Sequence, residues 1–135
     1  MPPLFDQEVR TRAANCCEYC LIPESADITP HQIDHIISRK HRGPDAVENL
    51  ALACLQCNTC KGPNIAGIDP DTREITRLFN PRTDRWVDHF SLDLSGVIIA
   101  RTAIGRTTLY VLRMNESGAV TLRACLIEEG VLTPG

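Results

Sequence analysis

Two Cys-x2-Cys pairs, Cys17–Cys20 and Cys54–Cys57, constrain this chain more than any other feature. Each pair can bring two sulfurs to one tetrahedral ion, and two such pairs make a closed four-thiolate site. Such a set suits zinc, which favours thiolate and brings no redox chemistry. The pairs are separated by the 33 residues from 21 to 53, more than the ~15–20 of a common two-knuckle zinc pattern. The expected site therefore brackets a working stretch of chain. Closing it contributes on the order of 10–16 kcal/mol to folding. With no open coordination position, the ion would be structural. Buried free thiols or a redox pair are the other readings of the same cysteines. Cys16 competes with Cys17, but the x2 spacing selects Cys17. Cys60 reads as a spare thiol on a short helix and Cys125 as a core residue.

A chain of 135 residues is one domain, or a small core with an extension. Aromatic residues make up only 4%, so the core must come from Leu, Ile, Val and Ala, and a staple matters. Seven cysteines, an odd number, argue against a complete disulfide framework. The segment MPPLFDQEVR shows no signal-peptide pattern, and no stretch approaches the ~20 apolar residues of a membrane span. The expectation is a cytoplasmic protein without a membrane partner; the sequence sets no oligomeric state. A net charge of -3 excludes a global basic field. Any affinity for nucleic acid would be local, modest and salt-sensitive.

Residues 5–15 read as a helix with Asp6 as N-cap, Asn15 as stop, and Phe5, Val9 and Ala13 on one apolar face. A tight turn over 16–20 presents two thiols, and 23–30 is a loop. A strand over 31–38, a loop over 39–48, a strand over 49–53 and a helix over 55–61 ended by Gly62-Pro63 follow. Residues 63–84 read as a wrapping loop with brief ordered pieces. Two strands (86–93 and 97–101) and two helices (102–114 and 117–129) complete the chain. The helix over 102–114 carries Ile104, Leu109 and Leu112 among its apolar positions, and that over 117–129 carries Val120, Ala124 and Ile127. This divides the chain into a core over 1–67 and a C-terminal extension over 68–135.

The bracketed stretch carries chemistry. Hydrolysing a phosphodiester needs a base for water, a cation for the developing charge, and a group to hold the base. His35 can be the base. Asp34 offers a hard oxygen to a divalent ion, and Asn58 a side-chain carbonyl to the same ion. Neighbouring strand residues face opposite sides, so Asp34 and His35 need local twist to meet at one phosphate. Asn49 can orient His35. Lys61, one helical turn beyond Asn58, can reach a phosphate, as can Arg39 and His41 from the loop. His31, on the same strand face as His35, reads as supporting or structural ahead of directly catalytic, and His89 as packed or capping. Arg73, Arg77, Arg82 and Arg85 line a substrate path or form a salt-paired, solvated loop. Singly, each residue has an ordinary explanation; together inside the cysteine frame they point to a metal-assisted nuclease.

The stretches IDHII, ENLALAC and CNTCKG resemble the HNH endonuclease family, with its ββα-metal (His-Me finger) core. GPNIAGIDP, LFNPRTDRW and IGRTTLYVLRMN resemble the C-terminal half of small bacterial stand-alone HNH proteins. The resemblance implies an α+β fold: a zinc-stapled ββα-metal core with a C-terminal β-hairpin and helices. It implies His35 as general base, Asp34 and Asn58 as ligands of magnesium, manganese or nickel, Asn49 as the middle Asn of the motif, and a structural zinc on Cys17, Cys20, Cys54 and Cys57. The implied activity is endonucleolytic cleavage of nucleic acid, expected to be DNA; the alternative is a zinc-stabilised nucleic-acid-binding module that does not cleave. The chain departs from the family pattern at Asn58 (often His), at Arg42 (often Gly) and at Cys60 (often basic or imidazole).

Overall fold

The computed structural model describes residues 3–135. It is α+β, built from three small antiparallel strand pairs, five α-helices and three short 3-10 turns among the described residues. Helix α1 (Pro3–Arg12) starts earlier than the sequence suggests. Proline suits a first helical turn, where its missing N–H costs nothing. Asp6 is therefore not an N-cap; it lies inside the helix and pairs with Arg10 one turn on. Val9 is buried against Leu50 and Leu52, with Phe5 and Ala13 beside it, so the expected apolar face of α1 is the one used. Ala14 and Asn15 both turn left-handed after the helix.

The chain then tightens into a knuckle. The Cys17 amide donates to the Ile22 carbonyl and the Leu21 amide to that of Cys17. Strand β1 (Gln32–His35) pairs antiparallel with β2 (Leu50–Ala53), in a register that sets Asp34 opposite Ala51 and His35 opposite Leu50. All four residues of β2 are buried. Helix α2 (Leu55–Lys61) follows, with Cys54 as N-cap. β1, β2 and α2 form the expected strand–loop–strand–helix unit, although β1 is half the anticipated length because residues 36–38 already turn into the loop.

Residues 66–77, within the expected wrapping loop with brief ordered pieces, hold a hairpin of β3 (Ala66–Ile68) and β4 (Ile75–Arg77). Its turn is organised by Asp69, whose carboxylate accepts the Asp71 amide, the Thr72 hydroxyl and the Arg106 guanidinium. Gly67 lets the hairpin lie close on the next long helix; a Cβ there would come within 2.6 Å of Val111. The segment Trp86–His89 is a helical turn, α3, and not the start of a strand. That turn stacks Trp86 on Phe90, four residues on, with ring centroids 5.1 Å apart. β5 (Phe90–Leu92) and β6 (Ile98–Ala100) then pair. Helix α4 (Ala103–Leu112) is N-capped by Thr102, whose hydroxyl accepts the Gly105 amide. Helix α5 (Ser117–Glu128) buries Arg123 and Leu126, while Cys125 is exposed and is not a core residue.

One apolar cluster runs through the four cysteines of the two pairs, Leu78, Phe79, Phe90, Leu92, Ile98, Leu112 and Met114. The extension is tied to the knuckles by the Trp86 indole N–H, which donates to the Tyr19 carbonyl, and by Gln56, which donates to the Arg113 carbonyl. Arg77 pairs with Asp84 and Arg82 with Glu18, so these two arginines are salt-paired. Among the described residues no helix is long and apolar enough to cross a membrane.

Candidate active site and metal centre

Cys17, Cys20, Cys54 and Cys57 converge, all buried, with their sulfurs within 4.8 Å of one another. Tetrahedral zinc at ~2.3 Å from each sulfur needs sulfurs about 3.8 Å apart; Cys20 and Cys54 stand at 3.6 Å. The two knuckles match. The Cys20 amide donates to the Cys17 sulfur and the Cys57 amide to the Cys54 sulfur, each at 3.4 Å. Amide donors stabilise thiolate, the form that binds metal. Hydrogen bonds from Cys17, Cys20 and Cys57 pull the Cys54 thiol well down, whereas hydrogen bonding with Cys17 above all holds the Cys20 and Cys57 thiols well up. Four sulfurs this close could hold a dication, and the all-sulfur donor set fits zinc.

Tyr19 connects this centre to the bracketed stretch. Lying between Cys17 and Cys20, it is fully buried, and its hydroxyl donates to Asp34 Oδ2 at 2.7 Å. Asp34 Oδ1 accepts from Lys61 Nζ at 3.2 Å, and Lys61 also donates to the His35 carbonyl at 2.9 Å. Asp34 is 3% exposed and Lys61 1%. The expectation that Lys61 reaches out to a phosphate therefore gives way to an internal ion pair. α2 packs over β1, and Lys61 lies on its inner side. Burial pushes the Asp34 carboxyl up from its ordinary value, against the pull of Lys61 and Tyr19. Burial and the Asp34 charge push the Tyr19 phenol well up.

Breaking a buried pair leaves an uncompensated charge and typically costs 3–5 kcal/mol. Lys61→Met should destabilise the protein by about that much, read as a lowered denaturation midpoint. Asp34→Asn in the same chain should recover part of the loss.

His35 lies on the opposite face of β1, half-buried. Its Nε2 is 2.6 Å from Asp45 Oδ1, and Arg39 donates to the same oxygen. The His35 bond, with the Arg39 charge behind it, holds the Asp45 carboxyl below its usual range. Asp45 is a site residue the sequence did not reveal, since the loop alone brings it to the ring.

Asn49 does not bond the His35 ring. Its side chain accepts the Ile37 amide and donates to the Ile37 and Pro44 carbonyls, which fixes both ends of the intervening loop. Gly43 completes the clamp: a Cβ there would sit 1.7 Å from the Ile37 carbonyl oxygen. Arg42, where the family often has glycine, adopts the left-handed conformation that glycine would take, with φ at 63°. Arg39, Lys40, His41 and Arg42 are all exposed on this loop. Asn58 is half-buried and donates to the Gln32 side chain at 2.7 Å; Gln32 and Asp34 share a face of β1.

His31 is buried, with Nε2 on the Ile22 carbonyl, and is structural. His89 bonds the Thr102 hydroxyl that caps α4 and meets Phe79 edge-on, as a packed residue.

Comparison with the curated proteins and with the solved structures found no match. The family model described as HNH endonuclease matches residues 17–64. Those bounds enclose both knuckles, β1, the clamped loop, β2 and α2. The segment from 17 to 64 is similar to the HNH endonuclease family, which implies a nuclease-type function related to nucleic acid.

Proposed function

We propose that the protein is a metal-dependent endonuclease that hydrolyses phosphodiester bonds in DNA. Residues 1–67 form its nuclease core, and 68–135 an extension packed on it. The observation that carries this reading is the coincidence of the family match with a zinc-type cysteine frame around β1, β2 and α2. Within it, His35 is the general base, held by Asp45 through Nε2, and Asn49 positions the loop that carries Asp45. Asp34 and Asn58 hold a divalent ion, magnesium, manganese or nickel, which when bound neutralises charge developing on the phosphate. For Asp34 to bind an ion it must release Lys61, so the ammonium and the ion compete for one carboxylate. Arg39 and His41, with Lys40 and Arg42 beside them, meet the phosphate backbone. This local basic strip on a protein of net charge -3 makes binding salt-sensitive. Thiolate ligands fit the reducing cytoplasm as the place of action.

Asp34's engagement by Tyr19 and Lys61 favours a second reading, a nucleic-acid-binding domain that does not cleave. One assay separates the two. Supercoiled plasmid should be nicked or linearised when magnesium, manganese or nickel is added. A chelator dose that leaves bound zinc in place should stop the reaction reversibly. Binding without cleavage under every metal condition would select the second reading.

A further inference from the structure

Arg123, on α5 and well beyond the matched domain, has its side chain fully buried. Its Nε donates to the Gly96 carbonyl at 2.8 Å, and its Nη2 donates to the Met114 carbonyl at 2.6 Å and to Asn115 Oδ1 at 3.1 Å. Nη1 is buried without a partner. Among the described residues, no carboxylate pairs with it. Three neutral acceptors do not offset the cost of burying a cation.

The core that receives Arg123 is the one that holds the cysteine centre. Met114, whose carbonyl Arg123 holds, belongs to the same buried cluster as the four cysteines, and Ala119 and Leu122 of α5 pack on that cluster. Ala119, Leu122 and Cys54 also line one cavity. Burial holds the guanidinium's proton affinity below its ordinary value, and the cysteine sulfurs offset part of that loss. Zinc with four thiolates carries a net charge of about -2, a double negative charge inside a largely apolar core.

We propose that Arg123 is the counter-charge of this centre, a buried guanidinium that stabilises the zinc–thiolate set and raises its affinity for metal. The inference rests on the zinc reading. It makes α5 a working part of the metal site, although the family match ends at residue 64.

The test uses the full-length chain, first assayed for zinc by elemental analysis. Zinc affinity is then measured by competition with a chromophoric chelator in wild type, Arg123→Lys and Arg123→Gln. The pH of half-release is recorded from the thiolate charge-transfer band of cobalt-loaded protein. Groups that support metal ligands typically alter affinity by about 10–100-fold. Arg123→Gln should weaken zinc binding by about that factor and release metal at higher pH, because neutral thiols win more readily once the cation is gone. Arg123→Lys keeps the charge but not the forked hydrogen bonds, so its melting temperature should fall while its zinc affinity stays near wild type. Equal affinity in wild type and Arg123→Gln would overturn the proposal, as would Lys and Gln variants weakened alike. If Arg123→Gln does not fold, Arg123→Lys decides, and a tenfold loss there overturns it. A wild-type chain without zinc would overturn the zinc reading, and this proposal with it.

Discussion

Cys57→Ser should yield a chain that neither retains zinc nor melts cooperatively. Cys57 is fully buried in the cluster that joins the knuckles to Phe79, Phe90 and Met114, so its loss strikes a ligand set and a core at once. Zinc closure is worth on the order of 10–16 kcal/mol, whereas a typical domain has only about 5–15 kcal/mol of net stability. Serine cannot replace the ligand, since its hydroxyl stays protonated where a cysteine supported by amide donors ionises. The loss should spread from the knuckle, because Tyr19, one of two donors to Asp34, is held between Cys17 and Cys20. Elemental analysis with thermal melting monitored by circular dichroism checks this. A soluble Cys57→Ser protein with unchanged metal content and a sharp transition would contradict it.

His35→Ala should do the reverse, silencing cleavage while leaving the fold intact. Loss of a general base typically costs about 100- to 10,000-fold in rate. Little stability should go with it, since the one side-chain partner of the ring, Asp45, is exposed and keeps its contact with Arg39. Zinc content and melting temperature should match wild type. Plasmid cleavage by His35→Ala at the wild-type rate would assign the base to another residue or the activity to a contaminant.

Local signals made some of the fold legible in the sequence. Helix α2 falls on its expected residues, since Cys54 caps one end and Gly62 closes the other. The hairpin over 66–77 did not show, because Pro70, Asp71 and Thr72 look like loop and its turn depends on Arg106, far along the chain. The buried face of α5 is broader than the stripe of Val120, Ala124 and Ile127. Ile127 packs on the core, but the helix also turns Arg123 inward with Leu126, and a charged side chain is ordinarily read as outward-facing.

Within the site, the cysteine frame could be read from spacing alone. The inward turn of Lys61 could not, because it depends on Asp34 and Tyr19, which the fold brings together from distant positions. The same holds for Asp45 beside His35 and for the loop-clamping role of Asn49.

The chain has a single tryptophan, and its position gives that residue a practical value. The Trp86 indole is bonded to the carbonyl of Tyr19, between two of the four clustered cysteines, and stacks on Phe90. Intrinsic fluorescence is therefore a single-site optical gauge of knuckle closure, usable without a label in metal-release, refolding or stopped-flow experiments.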